Sequence, residues 1–110
     1  MRSWVTQLRK GVVELAVLGA IQEGEAYGYQ LLQRINRIDG LGLTESTVYP
    51  MLARLAREGT LEVRAVASPS GPPRRYYRLT AAGRRRLQEM IGHWRDVQAG
   101  LDVLLGGSEP

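Results

Sequence analysis

The chain has 110 residues, a formal net charge of +4 and a pI near 10, which fits one small domain with a polyanionic partner, either nucleic acid or an anionic membrane surface. The absence of cysteine excludes disulfides and thiol catalysis and argues against a structural zinc site. The apolar segment Val12 to Ile21 is too short to span a bilayer and is interrupted by Glu14, and no signal-peptide pattern is visible, so the expected location is the cytoplasm and no membrane partner is expected.

Residues from about Val5 to Gln22 carry Val5, Leu8, Val12, Leu15, Ala16, Leu18 and Gly19 at helical spacing. Glu23-Gly24-Glu25 breaks that pattern. A second short helix is expected from about Tyr27 to Ile38, with Leu31, Leu32 and Ile35 on one face, followed by a turn at Asp39-Gly40-Leu41-Gly42. In LTESTVYPMLARLAREG, Thr44 is the expected N-cap of a third helix. Glu45 lies in its first turn, where the helix dipole favours an acid, and Gly59 lies at its end. After Gly59 the period changes to two. Leu61, Val63 and Ala65 alternate with Glu62, Arg64 and Val66 as a half-buried strand. A loop follows from Ala67 to Pro73, and Arg74 to Leu79 forms a second strand. Tyr77 and Leu79 would face inward, and Arg74, Tyr76 and Arg78 outward. Thr80 caps a final helix to about Leu105.

This order predicts a mainly α fold with a small β-hairpin: a winged helix-turn-helix with a C-terminal dimerisation helix. The expected division is a DNA-binding unit over 1–79, a dimerisation helix over 80–105 and a flexible tail over 106–110.

Around the third helix, Val48, Leu52, Leu55 and Met51 share the buried side, and Ser46, Thr47, Pro50, Ala53, Arg54 and Arg57 the far side, with Tyr49 at the boundary. Such a helix presents its first residues to base edges in the major groove, where small hydroxyl residues permit close approach. Thr44, Ser46, Thr47 and Tyr49, with Arg54 and Arg57 behind them, are therefore candidate DNA contacts; a solvated helix face is the alternative. Pro50 either bends the helix or marks a later start. In the wing, Arg74 and Arg75 are candidate phosphate contacts and Tyr76 a candidate hydroxyl donor. Packing is the expected role of Tyr77, and a solvated face that of Arg84, Arg85 and Arg86. Fourteen of the fifteen basic residues are arginine, Lys10 being the exception. That bias suits phosphate and guanine recognition and fits genome base composition equally.

In the last helix, Leu87, Met90, Trp94, Val97, Leu101 and Leu104 repeat at steps of three and four, the a and d positions of a heptad. They are candidates for a seam with a second copy, and packing on Val12 to Ile21 is the alternative. A dimer with two recognition helices reads a pseudo-palindromic duplex site.

The segments YGYQLLQRI (Tyr27 to Ile35), LTESTVYPMLARLAREG (Leu43 to Gly59) and GPPRRYYRLTAAG (Gly71 to Gly83) resemble the PadR family of bacterial transcriptional regulators, in its compact subfamily with a single C-terminal helix. The resemblance implies a winged helix-turn-helix whose last helix builds the homodimer, a repressor released by an effector, and a recognition helix in which Pro50 is usual. It also implies a planar aromatic effector as a candidate to stack on Trp94, for which ordinary interface packing is the alternative. Asp96, an acid near Trp94, has a heptad position that points away from the seam. A protein- or RNA-binding winged helix without base readout is the competing function. An enzyme is disfavoured: His93 is the lone histidine, and Glu14, Glu23, Glu25, Asp39, Glu45, Glu58 and Glu62 show no catalytic spacing. No cofactor and no metal are expected.

Overall fold

A computed structural model of the chain describes residues 1–38 and 40–107. The elements in chain order are α1 (Arg2–Ile21), β1 (Ala26–Tyr27), α2 (Gly28–Asn36), α3 (Glu45–Arg57), β2 (Leu61–Val66), β3 (Arg74–Leu79) and α4 (Ala81–Leu104). Four helices and a three-stranded antiparallel sheet of order β1-β3-β2 make a winged helix. Among the described residues no helix is long and apolar enough to cross a membrane.

The core forms where the apolar faces of the first three helices meet. Val13, Val17, Leu18 and Ile21 of α1, Leu31 and Ile35 of α2, and Val48, Leu52 and Leu55 of α3 are buried together. The sheet closes one side through Ala26, Leu61, Tyr77 and Leu79. These four lie on one face because Leu61 pairs with Leu79 and Ala26 with Tyr77.

Four expectations need correction. Tyr27 does not open α2; with Ala26 it forms β1, pairing with Tyr76 and Tyr77, and only then does the helix begin at Gly28. The α1 residue Leu8, part of the helical pattern, is exposed, and the core face of that helix runs through Val13 and Val17 instead. The inward face of β2 is shorter than its alternation implies: Leu61 is buried, whereas Val63 and Ala65 are exposed because the hairpin leaves the body there. Leu87, expected in a seam between copies, is 1% exposed within this chain's own core, and half-buried Met90 packs against that core.

The Asn36 side chain clasps the end of the α2–α3 turn. Asn36 donates from Nδ2 to the Leu43 carbonyl at 2.9 Å and accepts from the Leu43 N–H at 3.0 Å. This two-way clasp anchors buried Leu43 and sets where Thr44 starts α3. The helix starts there and runs unbroken through Pro50 to Arg57, and Gly59 follows at φ +80°. Thr80 caps α4 by accepting from the Gly83 N–H at 2.9 Å. Of the turn expected at 39–42, Asp39 lies outside the described residues. So do 108–110 of the expected tail, while Gly106 and Gly107 close α4 with backbone bonds to Val103 and Asp102.

The shape is elongated, 54 × 32 × 20 Å, with a radius of gyration of 15.9 Å against about 13 Å for a compact chain of this length. The excess comes from α4. Its 24 residues span about 36 Å, and the distal half has no body of this chain beneath it.

Candidate nucleic-acid interface

The first turn of α3 gathers three exposed hydroxyls. Thr44 Oγ1 lies 2.9 Å from Ser46 Oγ and 3.3 Å from Thr47 Oγ1. Each can donate or accept, so the cluster is able to trade these mutual bonds for base edges or phosphate oxygens. Tyr49, one turn on, lies on the flank facing the sheet. Its ring crosses Gly28 so closely that a Cβ there would stand 2.7 Å from Tyr49 Cε1; glycine permits the approach. Partial burial, and then the charge of Glu45, raises the Tyr49 phenol above its ordinary 10.0, so it remains a hydroxyl donor at neutral pH.

The two arginines of α3 part company. Arg57 is exposed with no ion-pair partner among the described residues. Arg54 turns back onto the body: Nη2 donates to Glu14 Oε1 and Nη1 to Glu58, each at 3.0 Å. Glu14, with its side chain 15% exposed, also accepts from Arg86 of α4. These arginines hold its carboxyl below the ordinary 4.5, the Arg86 hydrogen bond being the largest cause, against the opposing effect of burial. Arg54 is thus placed as a tie between α1 and α3, apart from the exposed hydroxyls. Arg86, expected on a solvated face, is a tie between α1 and α4.

The wing places its side chains as the alternation requires. Arg74, Tyr76 and Arg78 lie on the outer face of β3, with Tyr27 of β1 and Arg64 of β2 beside them. Arg74 lies over the Tyr27 ring at 4.8 Å, Tyr27 and Tyr76 meet edge to face at 5.4 Å, and Arg64 lies over Tyr76 at 5.4 Å. This stack stiffens the hairpin and holds Arg74 in place. Arg64 and Arg78 are paired with Glu25 and Glu62; Arg74 and Arg75 have no carboxylate partner among the described residues. Between wing and α3 runs an open groove of about 250 Å³, lined by Tyr27, Gly28, Tyr29, Tyr49, Arg74 and Arg75. The structure therefore brings Tyr49, Arg74 and Arg75 together and adds Tyr27 and Tyr29, which sequence reasoning left as helix residues.

On α4, Trp94 is 40% exposed, and Val97, Leu101 and Leu104 are exposed beyond it. Trp94 borders a cavity of about 240 Å³ with Val12, Leu15, Ala16 and Leu41 and no polar lining. Trp4 and Leu8 of α1 are exposed as well. His93 lies exposed on α4.

Comparison with known proteins agrees with this geometry. The family model "Transcriptional regulator PadR-like family" matches residues 17–89. The transcriptional regulator Rv3488 of Mycobacterium tuberculosis is 36% identical over 85 residues, 76% of each chain. The crystal structure of a PadR family transcriptional regulator from Eggerthella lenta is 34% identical with a TM-score of 0.84, over 97% of this chain and 93% of that one. Bacillus subtilis PadR, solved in complex with operator DNA, is 27% identical with a TM-score of 0.68, over 73% of this chain and 45% of that one. With a winged helix in place and two thirds of its length matched by one family model, the chain belongs to the PadR-like family of transcriptional regulators, DNA-binding proteins that are not enzymes.

Proposed function

We propose that this chain is a homodimeric, sequence-specific repressor that reads a pseudo-palindromic operator and leaves it when an aromatic effector binds. The observation that carries the reading is a division of surfaces. Exposed hydroxyls and unpaired arginines line α3 and the wing, while most of the exposed large apolar side chains gather on distal α4 and the start of α1, Tyr29, Ile38, Tyr49 and Val63 lying elsewhere. Thr44, Ser46, Thr47 and Tyr49 are assigned to the major groove. Arg57, Arg74, Arg75 and Tyr76 are assigned to the backbone on either side. Arg54 is reassigned to holding α3 in place. The operator complex of Bacillus subtilis PadR supports duplex DNA as partner.

Residues 1–79 with the first turns of α4 act as the DNA-binding unit, and the distal seam of Trp94, Val97, Leu101 and Leu104 pairs two copies. The apolar cavity at Trp94 is the candidate effector site, because a flat aromatic compound would fill it without stranding a polar group.

The test is selection of duplex DNA from a random pool, followed by a salt titration on the selected sequence. An inverted repeat is expected. Arg74→Ala with Arg75→Ala should flatten the salt dependence by about 1.8 per protomer and leave the preferred bases unchanged. A pool without enrichment rejects sequence-specific readout and returns the basic surface to RNA or a protein partner. Unchanged Trp94 fluorescence across planar aromatic compounds rejects the effector site alone.

A further inference from the structure

The cationic side of α1 is not part of the site described above. Successive side chains at Thr6, Arg9, Lys10 and Val13 fall within one stripe of the helix; the exposed apolar Trp4 and Leu8 lie on the opposite side. Val13 is buried against the body, so the stripe beside it is set against the helix-turn-helix. There Arg9 Nε donates to the Gly40 carbonyl at 3.3 Å. Its guanidinium lies along the turn: a Cβ on Gly42 would stand 3.5 Å from Arg9 Cζ and 3.6 Å from both terminal nitrogens.

A groove of about 180 Å³ runs from this stripe to α3, lined by Thr6, Arg9, Lys10, Gly42, Thr44 and Thr47. Two cations and three hydroxyls converge on it, and no carboxylate among the described residues lines it. Glu45 lies on the other flank of α3, where its charge acts on Tyr49. Arg54, Arg64, Arg78 and Arg86 each hold a carboxylate, whereas Lys10 is exposed and holds none among the described residues.

We propose that Arg9 and Lys10 of α1 form a third phosphate-contacting edge of the DNA interface, gripping the backbone that borders the first turn of α3 opposite the wing. This extension rests on the operator-binding reading above. Lys10, the one lysine, makes a point contact to a phosphate. Arg9 has a double role, holding the turn through Nε and presenting its terminal N–H groups to the same phosphate. Backbone contacts here fix register and carry no base preference. The wing thereby grips one side of the recognition helix and α1 the other.

The experiment is a salt titration of the full chain on its selected duplex, with Lys10→Ala, Arg9→Lys and, as control, Arg95→Ala on distal α4. Lys10→Ala breaks no hydrogen bond or ion pair among the described residues, so its fold is not at issue. It is expected to reduce the salt slope by about 0.9 per protomer and weaken binding while leaving the selected sequence unchanged. Arg9→Lys keeps the charge and is expected to retain the slope. Arg95→Ala, which removes an equal charge from a residue that does not line the groove, is expected to match the wild type. A wild-type slope in Lys10→Ala overturns the proposal while operator binding stands, and so does an equal loss in Arg95→Ala. Failure of the wild-type protein to bind any duplex overturns both.

Discussion

The two halves of α4 continue one apolar pattern into different surroundings. In the proximal half Leu87 is 1% exposed, and Gly83 backs onto the Thr60 carbonyl so tightly that a Cβ would stand 2.1 Å from its oxygen. Arg86 reaches Glu14 on α1. In the distal half Leu104 is 82% exposed, and a Cβ added at Gly100 would meet nothing beyond its own helix backbone within 4 Å. An a/d repeat states that a helix face will be covered; it does not state by what. The chain's own core covers the first turns, and the proposal assigns the rest to a second copy. Trp94 stands at the changeover, one edge on the Val12–Leu15–Leu41 cavity and the other in solvent.

The largest expected effects would break this contrast most directly. Leu87→Ala should cost about 2–5 kcal/mol of unfolding free energy, the loss for a well-packed core leucine. Gly83→Ala should cost about 1–3 kcal/mol or more, because the clash is with backbone and the helix start must shift away from Thr60. Leu104→Ala should cost under about 0.5 kcal/mol at dilutions where copies separate, with a larger cost appearing only as protein concentration rises. Denaturant titrations at several concentrations read all three. A concentration-independent loss in Leu104→Ala equal to that of Leu87→Ala would mean that both halves belong to one core.

Next in size is the carboxylate that ties the proximal half to the reading helix. Glu14→Gln leaves Arg54 and Arg86 without their shared anion. The expected cost at neutral pH lies between the ~1 kcal/mol of an exposed pair and the ~3 kcal/mol of breaking a buried one. The sign with pH follows from the lowered Glu14 pKa. Its ion pairs contribute fully above the ordinary 4.5, and that contribution is lost as pH falls through the lowered folded-state value. The gap between wild type and Glu14→Gln should therefore close in acid. A gap that persists unchanged well below that range would assign the loss to shape and not to charge.

Much of this architecture was legible because it repeats locally. The faces Val48–Leu52–Leu55 and Leu31–Leu32–Ile35, the Thr80 cap and the inward Tyr77 and Leu79 all follow from a helical or strand period. What was missed has no period. Two residues, Ala26 and Tyr27, are too few to show alternation, so β1 read as the start of α2. Arg54 lies on the outer side of an isolated α3, and only the fold brings up Glu14 from 40 positions earlier to claim it. The Tyr27–Tyr76 stack and the Arg86–Glu14 pair, 72 positions apart, are juxtapositions of the same kind. Within the candidate interface, the hydroxyl residues and the wing arginines were therefore legible, while which arginines are already spoken for was not.

The smallest effect carries the opposite sign. Gly92 is exposed on α4 on the side away from Trp94, Val97 and Leu101, so neither this chain's body nor a copy on the seam contacts it. Glycine inside a helix forfeits backbone entropy relative to alanine. Gly92→Ala should raise unfolding free energy by about 0.5–1 kcal/mol by narrowing the unfolded ensemble, and oligomeric state should not change. The same substitution at Gly83, nine residues earlier on the same helix, must destabilise because the space there is taken. Opposite signs at the two glycines would confirm that Gly83 faces the body and Gly92 the uncovered outer side of the same helix. A loss at Gly92 accompanied by weaker self-association would place that side of the helix inside the interface between copies and require a seam wider than the a/d stripe.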